Sequence, residues 1–438
     1  MRKFWILVLC GIALAVGGGS HAAAGGASAA PAAAAGSVSG ADTITLEGCS
    51  YAEVKAALAS APQGATIEVG EGECTWFDNA TNPSLFRYGS VHLKGKGIGR
   101  TIIHAQTPEC GATGCDTETL LTFRCVNAFA DAVIEVSGFS FVGNLPPEGW
   151  TSGLTLEGCH DFLIHDNRFE RFKGQALTLT RNVASVAPRG VVYANQFLQN
   201  VVTGTGYGVS VHNEDQWPEF RLGDQNPEAT IVEDNCFMDN RHSMTANNGA
   251  EYVFRYNTVV NTPLAGSWPP VDAHGVQKTG QRGTRSWEIY RNLIRFEDGT
   301  SEDAAIGIRG GDGVAWGNRI DSAYPSSILF RLEWFEDSGS NQCLNPDNSY
   351  PADHLDQTRK AWLWGNTWGA GPQTVGVAPG CAAYFHEDID YFQRMPTAAE
   401  LGGHAYVPHP YPHPARGSDR LFGDGFEGLA DLCSLVVP

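Results

Sequence analysis

Residues 230–237, TIVEDNCF, and 251–259, EYVFRYNTV, share one frame: a short β-prone run, two residues, an asparagine, one residue, then an apolar side chain. Five more segments repeat it: DFLIHDNRF (161–169), GVVYANQF (190–197), SWEIYRNLI (286–294), DGVAWGNRI (312–320) and KAWLWGNTW (360–368). Their asparagines, Asn167, Asn195, Asn235, Asn257, Asn292, Asn318 and Asn366, are separated by 28, 40, 22, 35, 26 and 48 residues. The short gaps fit one coil of a parallel β solenoid and the longer ones a coil with an inserted loop. The last gap fits two coils or one large excursion. Asparagine suits such corners because it tolerates left-handed backbone, and stacked amides bond from coil to coil. Turn asparagines are common, but chance placement does not put seven in one frame. The fold expected is all-β: a single-stranded right-handed parallel β-helix with loop excursions.

With the corner fixed, the strand after it can be aligned. The runs are LTLE (154–157), LTLT (177–180), VSVH (209–212), MTAN (244–247), VDAH (271–274), IGIR (306–309) and ILFR (328–331). His212, His274 and Arg309 each stand 17 residues after the preceding repeat asparagine. First and third residues must face the core, so the period of two sends the second and fourth outward. Two outward columns result, with coils roughly 4.8 Å apart. One is Glu157, Thr180, His212, Asn247, His274, Arg309 and Arg331; the other is Thr155, Thr178, Ser210, Thr245, Asp272 and Gly307.

Outside the repeat, Arg2 and Lys3 precede an apolar run of about a dozen residues and an A-x-A site at Ala22-Ala23-Ala24. That is the grammar of a secretory signal over 1–24, too short to span a bilayer. A low-complexity spacer (25–40) follows. The β-helix domain is expected over 41–414 and a tail over 415–438. Residues 50–76 read as a helix, with apolar spacing at Val54, Leu58 and Ala59, that turns into the alternating strand ATIEV. This helix caps the solenoid. Without Cys10 the chain keeps ten cysteines, an even number that fits an oxidising compartment. Cys110 with Cys115, and Cys343 with Cys381, are candidate pairs. No C-x2-C spacing suggests zinc. The net charge of −19 argues against nucleic acid and anionic membranes as partners. A soluble, secreted monomer is expected.

The opening YAEVKAALASAPQGATIEV…GECTW, followed by VHLKGKGIGRTII, resembles the N-terminal cap and first coil of pectate-lyase-like right-handed β-helix proteins, with Ala65 where aspartate is common. The resemblance covers roughly residues 50–414. It implies the fold and a secreted bacterial origin. It does not fix an activity, since the fold hosts lyases, hydrolases, esterases and non-enzymes.

The columns place His212, Asn247, His274, Arg309 and Arg331 on one wall, with Asp272 on the same face as His274. Arg241, His242, Lys278 and Arg282 lie on strand edges and loops nearby. Together they form a basic strip on an acidic chain, as a uronic acid carboxylate requires. The reading is a polysaccharide lyase acting by β-elimination on an acidic polysaccharide. Arg309 and Asn247 neutralise the C6 carboxylate, His274 or His212 takes the C5 proton, and Tyr207 protonates the leaving oxygen. Arg241, His242, Asp272, Lys278, Arg282 and Arg331 bind substrate. This reading names no cofactor and allows a calcium ion, held through Glu214, Asp215 or Asp272. A glycoside hydrolase needs two carboxyls roughly 6.5–9.5 Å apart, and the wall offers Asp272 alone at its centre. A non-catalytic glycan-binding solenoid is the third reading.

Overall fold

The computed structural model describes residues 42–78, 82–106, 118–126, 129, 132–143, 151–182, 187–201, 206–276, 281–332, 343, 356–416 and 433. The expected signal and spacer, and most of the tail, lie outside these. Strands stack in three long sheets of 12, 11 and 10 among the described residues, with every pairing parallel except a final two-residue hairpin, Thr367–Trp368 with Gly371–Pro372. One coil shows the winding: Glu251–Arg255 in the first sheet, Thr258–Asn261 in the second, Val271–Ala273 in the third. The next coil begins at Ser286 in the first sheet again. This is a parallel β-helix.

Inward residues repeat from coil to coil because like side chains stack at the strand spacing. The second sheet stacks Phe141, Phe169, Phe197 and Phe237 at centroid distances of 5.2, 5.2 and 4.8 Å. The third sheet fills the same interior with Leu156, Leu179, Val211, Ala246, Ala273, Ile308 and Phe330, all buried. The corner between first and second sheets carries the expected ladder. Asn195 Nδ2 donates to Asn235 Oδ1 at 3.0 Å, Asn235 to Asn257 at 3.0 Å, Asn257 to Asn292 at 3.2 Å and Asn292 to Asn318 at 2.9 Å. Asn318 donates directly to Asn366 at 2.8 Å, so the 48-residue gap is a single coil with an excursion.

The left-handed backbone, however, is not at the asparagines. It falls one residue earlier, at Asp166, Ala194, Asp234, Tyr256 and Arg291, with φ between 52° and 55°, and at Gly317 and Gly365, with φ of 63° and 62°. Each asparagine from Asn167 to Asn318 uses both its backbone N–H and its amide to reach the next coil, which tucks it inward. The reversal is taken by its predecessor. A second, shorter ladder lies at the corner after the second sheet, where Asn200 Nδ2 donates to Asn240 Oδ1 at 2.7 Å.

The cap is the helix Tyr51–Ser60, started by Ser50, whose hydroxyl accepts from Glu53 N. It buries Val54, Ala57 and Leu58. Ala59, expected on that stripe, is exposed, and Ala57 takes its place three residues after Val54. Among the described residues four disulfides are formed: Cys49–Cys74, Cys125–Cys159, Cys236–Cys433 and the expected Cys343–Cys381. Such usage belongs to an oxidising compartment. Cys110 and Cys115 lie outside the described residues. No helix among the described residues is long and apolar enough to cross a membrane.

Candidate active site

The third sheet aligns the outward columns in register. Thr155, Thr178, Ser210, Thr245, Asp272 and Gly307 are successive partners, as are Glu157, Thr180, His212 and Asn247. The ladder continues as His274 N donates to Ala246 O, Arg309 N to Ala273 O and Arg331 N to Ile308 O.

The wall is not open, as the alternation alone suggested. Asp272 is 0% exposed, His242 1%, His274 6% and Arg309 7%. Part of the cover is the excursion 262–270, which lies back over the sheet. Pro269 carbonyl accepts from His242 Nδ1 at 2.5 Å, and Pro270 carbonyl from Ser243 and Met244. Gly307 is glycine for this reason: a Cβ there would stand 2.7 Å from Pro269 Cγ and 3.1 Å from Asp272 Oδ1.

Nor is the wall a strip of net positive charge. Arg309 Nε donates to Asp272 Oδ1 at 3.0 Å, while its Nη2 contacts Oδ2. Arg331 pairs with Asp303 at 3.1 Å, and Arg282 holds Asp356 through two nitrogens. A buried guanidinium must be paired, and these carboxylates arrive from neighbouring coils and excursions. Arg309, expected to neutralise a substrate carboxylate, is held by both oxygens of Asp272. Arg241 Nη1 donates to Tyr207 Oη at 2.7 Å, and its guanidinium lies 4.3 Å over Trp268. Lys278 lies outside the described residues. Asn247 accepts from Asn248 N at 2.8 Å.

His212 and Tyr207, expected as base and acid, both have defined hydrogen-bond partners. His212 Nδ1 lies 3.2 Å from Asn248 Oδ1, and Asn248 Nδ2 donates to Asp215 Oδ1 at 2.8 Å. That amide orientation makes Oδ1 the acceptor, so His212 carries its proton on Nδ1 and its Nε2 is bare. Nε2 meets the Ser210 hydroxyl at 2.8 Å. Burial lowers the His212 pKa and keeps the ring neutral. Tyr207 is pushed up by burial, against the pull of Arg241 and Arg309. Arg241 occupies a lone pair of the phenol, leaving the O–H directed elsewhere. Asn248 and Trp268 were missed in the sequence because neither falls on an outward column.

Tyr207 also leads to the centre of the cluster. Its ring lies 5.3 Å from that of His242 and 6.4 Å from that of His274. His274 Nε2 stands 2.8 Å from Asp272 Oδ2 and 2.8 Å from Arg309 Nη2, and His242 Nε2 stands 3.8 Å from the same Asp272 oxygen. Burial raises Asp272, but Arg309 and the two imidazoles outweigh it and hold the carboxyl well below the usual range. Among the described residues, His242, Asp272 and His274 are the one group of three or more such side chains whose ligand atoms lie within 4.8 Å of one another. A hollow of about 520 Å³ opens elsewhere, lined by Phe220, Lys360, Glu400 and His404, and none of the expected site residues line it.

No protein-family model and no curated protein matches the chain. Solved structures similar to it include an alginate lyase from Paenibacillus sp. (13% identity over 67% of this chain and 99% of that one, TM-score 0.40). A GH87 α-1,3-glucanase from Streptomyces thermodiastaticus gives 12% over 80% and 69%, TM-score 0.42. The A-module of a mannuronan C-5 epimerase from Azotobacter vinelandii gives 12% over 76% and 95%, TM-score 0.30. At these values the likeness carries no argument about chemistry.

Proposed function

We propose that the protein is a secreted polysaccharide lyase that cleaves a uronic-acid-containing glycan by β-elimination at the outward face of the third sheet. The observation that supports it best is a neutral imidazole with its proton fixed on Nδ1, His212, on the same face as a phenol held by an arginine, Tyr207. The bare Nε2 of His212 takes the C5 proton once the Ser210 hydroxyl turns away. The freed electron pair forms the C4–C5 double bond, the C4–O4 bond breaks, and Tyr207 gives its proton to O4. Arg241 then stabilises the phenolate left behind. Of the two imidazoles expected as base, His212 suits the role better, because His274 Nε2 is already held between Asp272 and Arg309.

Hydrolysis fits less well. It needs one carboxyl kept protonated near neutrality, and on this face Asp272, Asp303 and Asp356 are all paired with arginines. The carboxyls raised to about 7, Glu251 and Glu288, lie in the first sheet. The test is incubation with uronate polymers while following absorbance of the unsaturated product. A rising signal that is lost in Tyr207→Phe supports the lyase. New reducing ends without absorbance, or no change across acidic glycans, overturn it.

A further inference from the structure

His242 is the group that the elimination reading leaves unused, and its surroundings are unusual. Its Nδ1 donates to Pro269 carbonyl at 2.5 Å, so the remaining nitrogen, Nε2, presents a lone pair. That nitrogen is buried, has no hydrogen-bond partner among the described residues, and lies 3.8 Å from Asp272 Oδ2. The same oxygen is 2.8 Å from His274 Nε2. His274 Nε2 in turn faces a donor, Arg309 Nη2, and an acceptor, the Asp272 carboxylate, at equal distance. One ring proton cannot serve both. If Nε2 is bare it accepts from Arg309 and opposes the carboxylate; if protonated it serves Asp272 and opposes the guanidinium. Electron pairs therefore converge on this point from two imidazoles and a carboxylate; Arg309 Nη2 answers Asp272 Oδ2 and His274 Nε2, and nothing among the described residues answers His242 Nε2.

We propose that His242 Nε2, Asp272 Oδ2 and His274 Nε2 form a binding site for a first-row divalent transition metal such as zinc, manganese or cobalt. Two imidazoles and one carboxylate are the donor set these ions take, whereas calcium prefers six to eight oxygens. The second shell is already in place. Pro269 fixes the orientation of His242, and Arg309 Nε holds the other Asp272 oxygen at 3.0 Å. The ion displaces the two Arg309 Nη2 contacts, on Asp272 Oδ2 and on His274 Nε2. Its role rests on the lyase reading, although the site itself does not. The arginines Arg309, Arg331 and Arg282 are each neutralised by a carboxylate. A bound dication supplies the positive charge that a uronate carboxylate needs at this face.

The test uses the full chain without a histidine tag, stripped with chelator and titrated with zinc(II) and with cobalt(II). One equivalent should survive desalting, counted by elemental analysis. Cobalt(II) should shift the exchangeable Nδ1 proton of His242 in the unmodified protein, a readout that needs no variant. His242→Gln and Asp272→Asn should each weaken binding at least 100-fold, while His165→Gln, on the first sheet, leaves it unchanged. No retained equivalent in the unmodified chain overturns the site, as does an equivalent that persists in both ligand variants. Binding without any elimination keeps the site and sinks only the lyase reading. Full elimination by the stripped protein removes the ion from the reaction.

Discussion

Two outer faces of the β-helix bury charge, and they do so to different ends. On the first sheet the chain from Tyr406 to Arg416 lies across the strands as a strap. Arg255 binds Glu233 at 2.6 Å and donates to the carbonyls of His409 and Pro410, both at 2.6 Å. Arg416 reaches Glu233 and Asp234, Tyr411 donates to Asp234 at 2.7 Å, and Tyr406 to Glu288 at 2.7 Å. Each of these carboxylates accepts from a donor that belongs to the strap or secures it. On the third sheet the covering excursion donates nothing to Asp272 or to His242 Nε2; it accepts from His242 and leaves lone pairs facing one another. The contrast separates polar burial that fastens a segment from polar burial that leaves binding capacity unspent.

The contrast breaks if either face answers to the other's test. The largest effect is expected at Tyr207→Phe: a loss of about 10²–10⁴-fold in kcat with the melting temperature nearly unchanged, measured by product absorbance and calorimetry. Arg255→Met should show the reverse. Removing one partner of a buried pair costs about 3–5 kcal/mol, read by denaturant unfolding, while turnover per folded molecule stays at the level of the parent.

Glu288 sharpens the same point through pH. Burial lifts its pKa to about 7, so the folded chain holds a proton that the unfolded chain releases in the ordinary carboxyl range near 4.5. Stability therefore falls as pH rises from about 4.5 to about 7 and stays lower above that. Glu288→Gln should recover on the order of 3 kcal/mol at pH 8 and change little at pH 4, seen in unfolding curves at both. The smallest effect is a matter of position. His212 must be neutral and Tyr207 protonated, and their pKa values are shifted below 6.5 and above 10. The profile of kcat/KM should be flat between those values. An acid limb centred above pH 6.5 would remove His212 as base.

Much of the winding was legible because one residue, asparagine, does the same work at the same corner of successive coils. Once that frame was found, period two fixed the register of Asp272, His274 and Arg309. What stayed hidden lay in the excursions, which carry no repeat. Pro269 closes over Gly307 from an insertion, and Asp356 and Asp303 neutralise Arg282 and Arg331 from segments that share no spacing with them. Alternation tells which way a side chain leaves the sheet, not what later lies over it. The strap was equally silent, since its contacts with Glu233 and Asp234 span more than 170 residues. The second ladder showed no period because Asn200 and Asn240 make a single rung.

The amide column has a direction. Every amide-to-amide bond in it donates toward the C-terminal end, and the last asparagine, Asn366, donates to Gln373, whose own amide donates to Gln393. Whole turns can be added or removed anywhere along such a seam without disturbing its neighbours, provided the glutamine terminus is kept. Lengthening this protein by duplicated windings should thus be tolerated in the middle and resisted at that end.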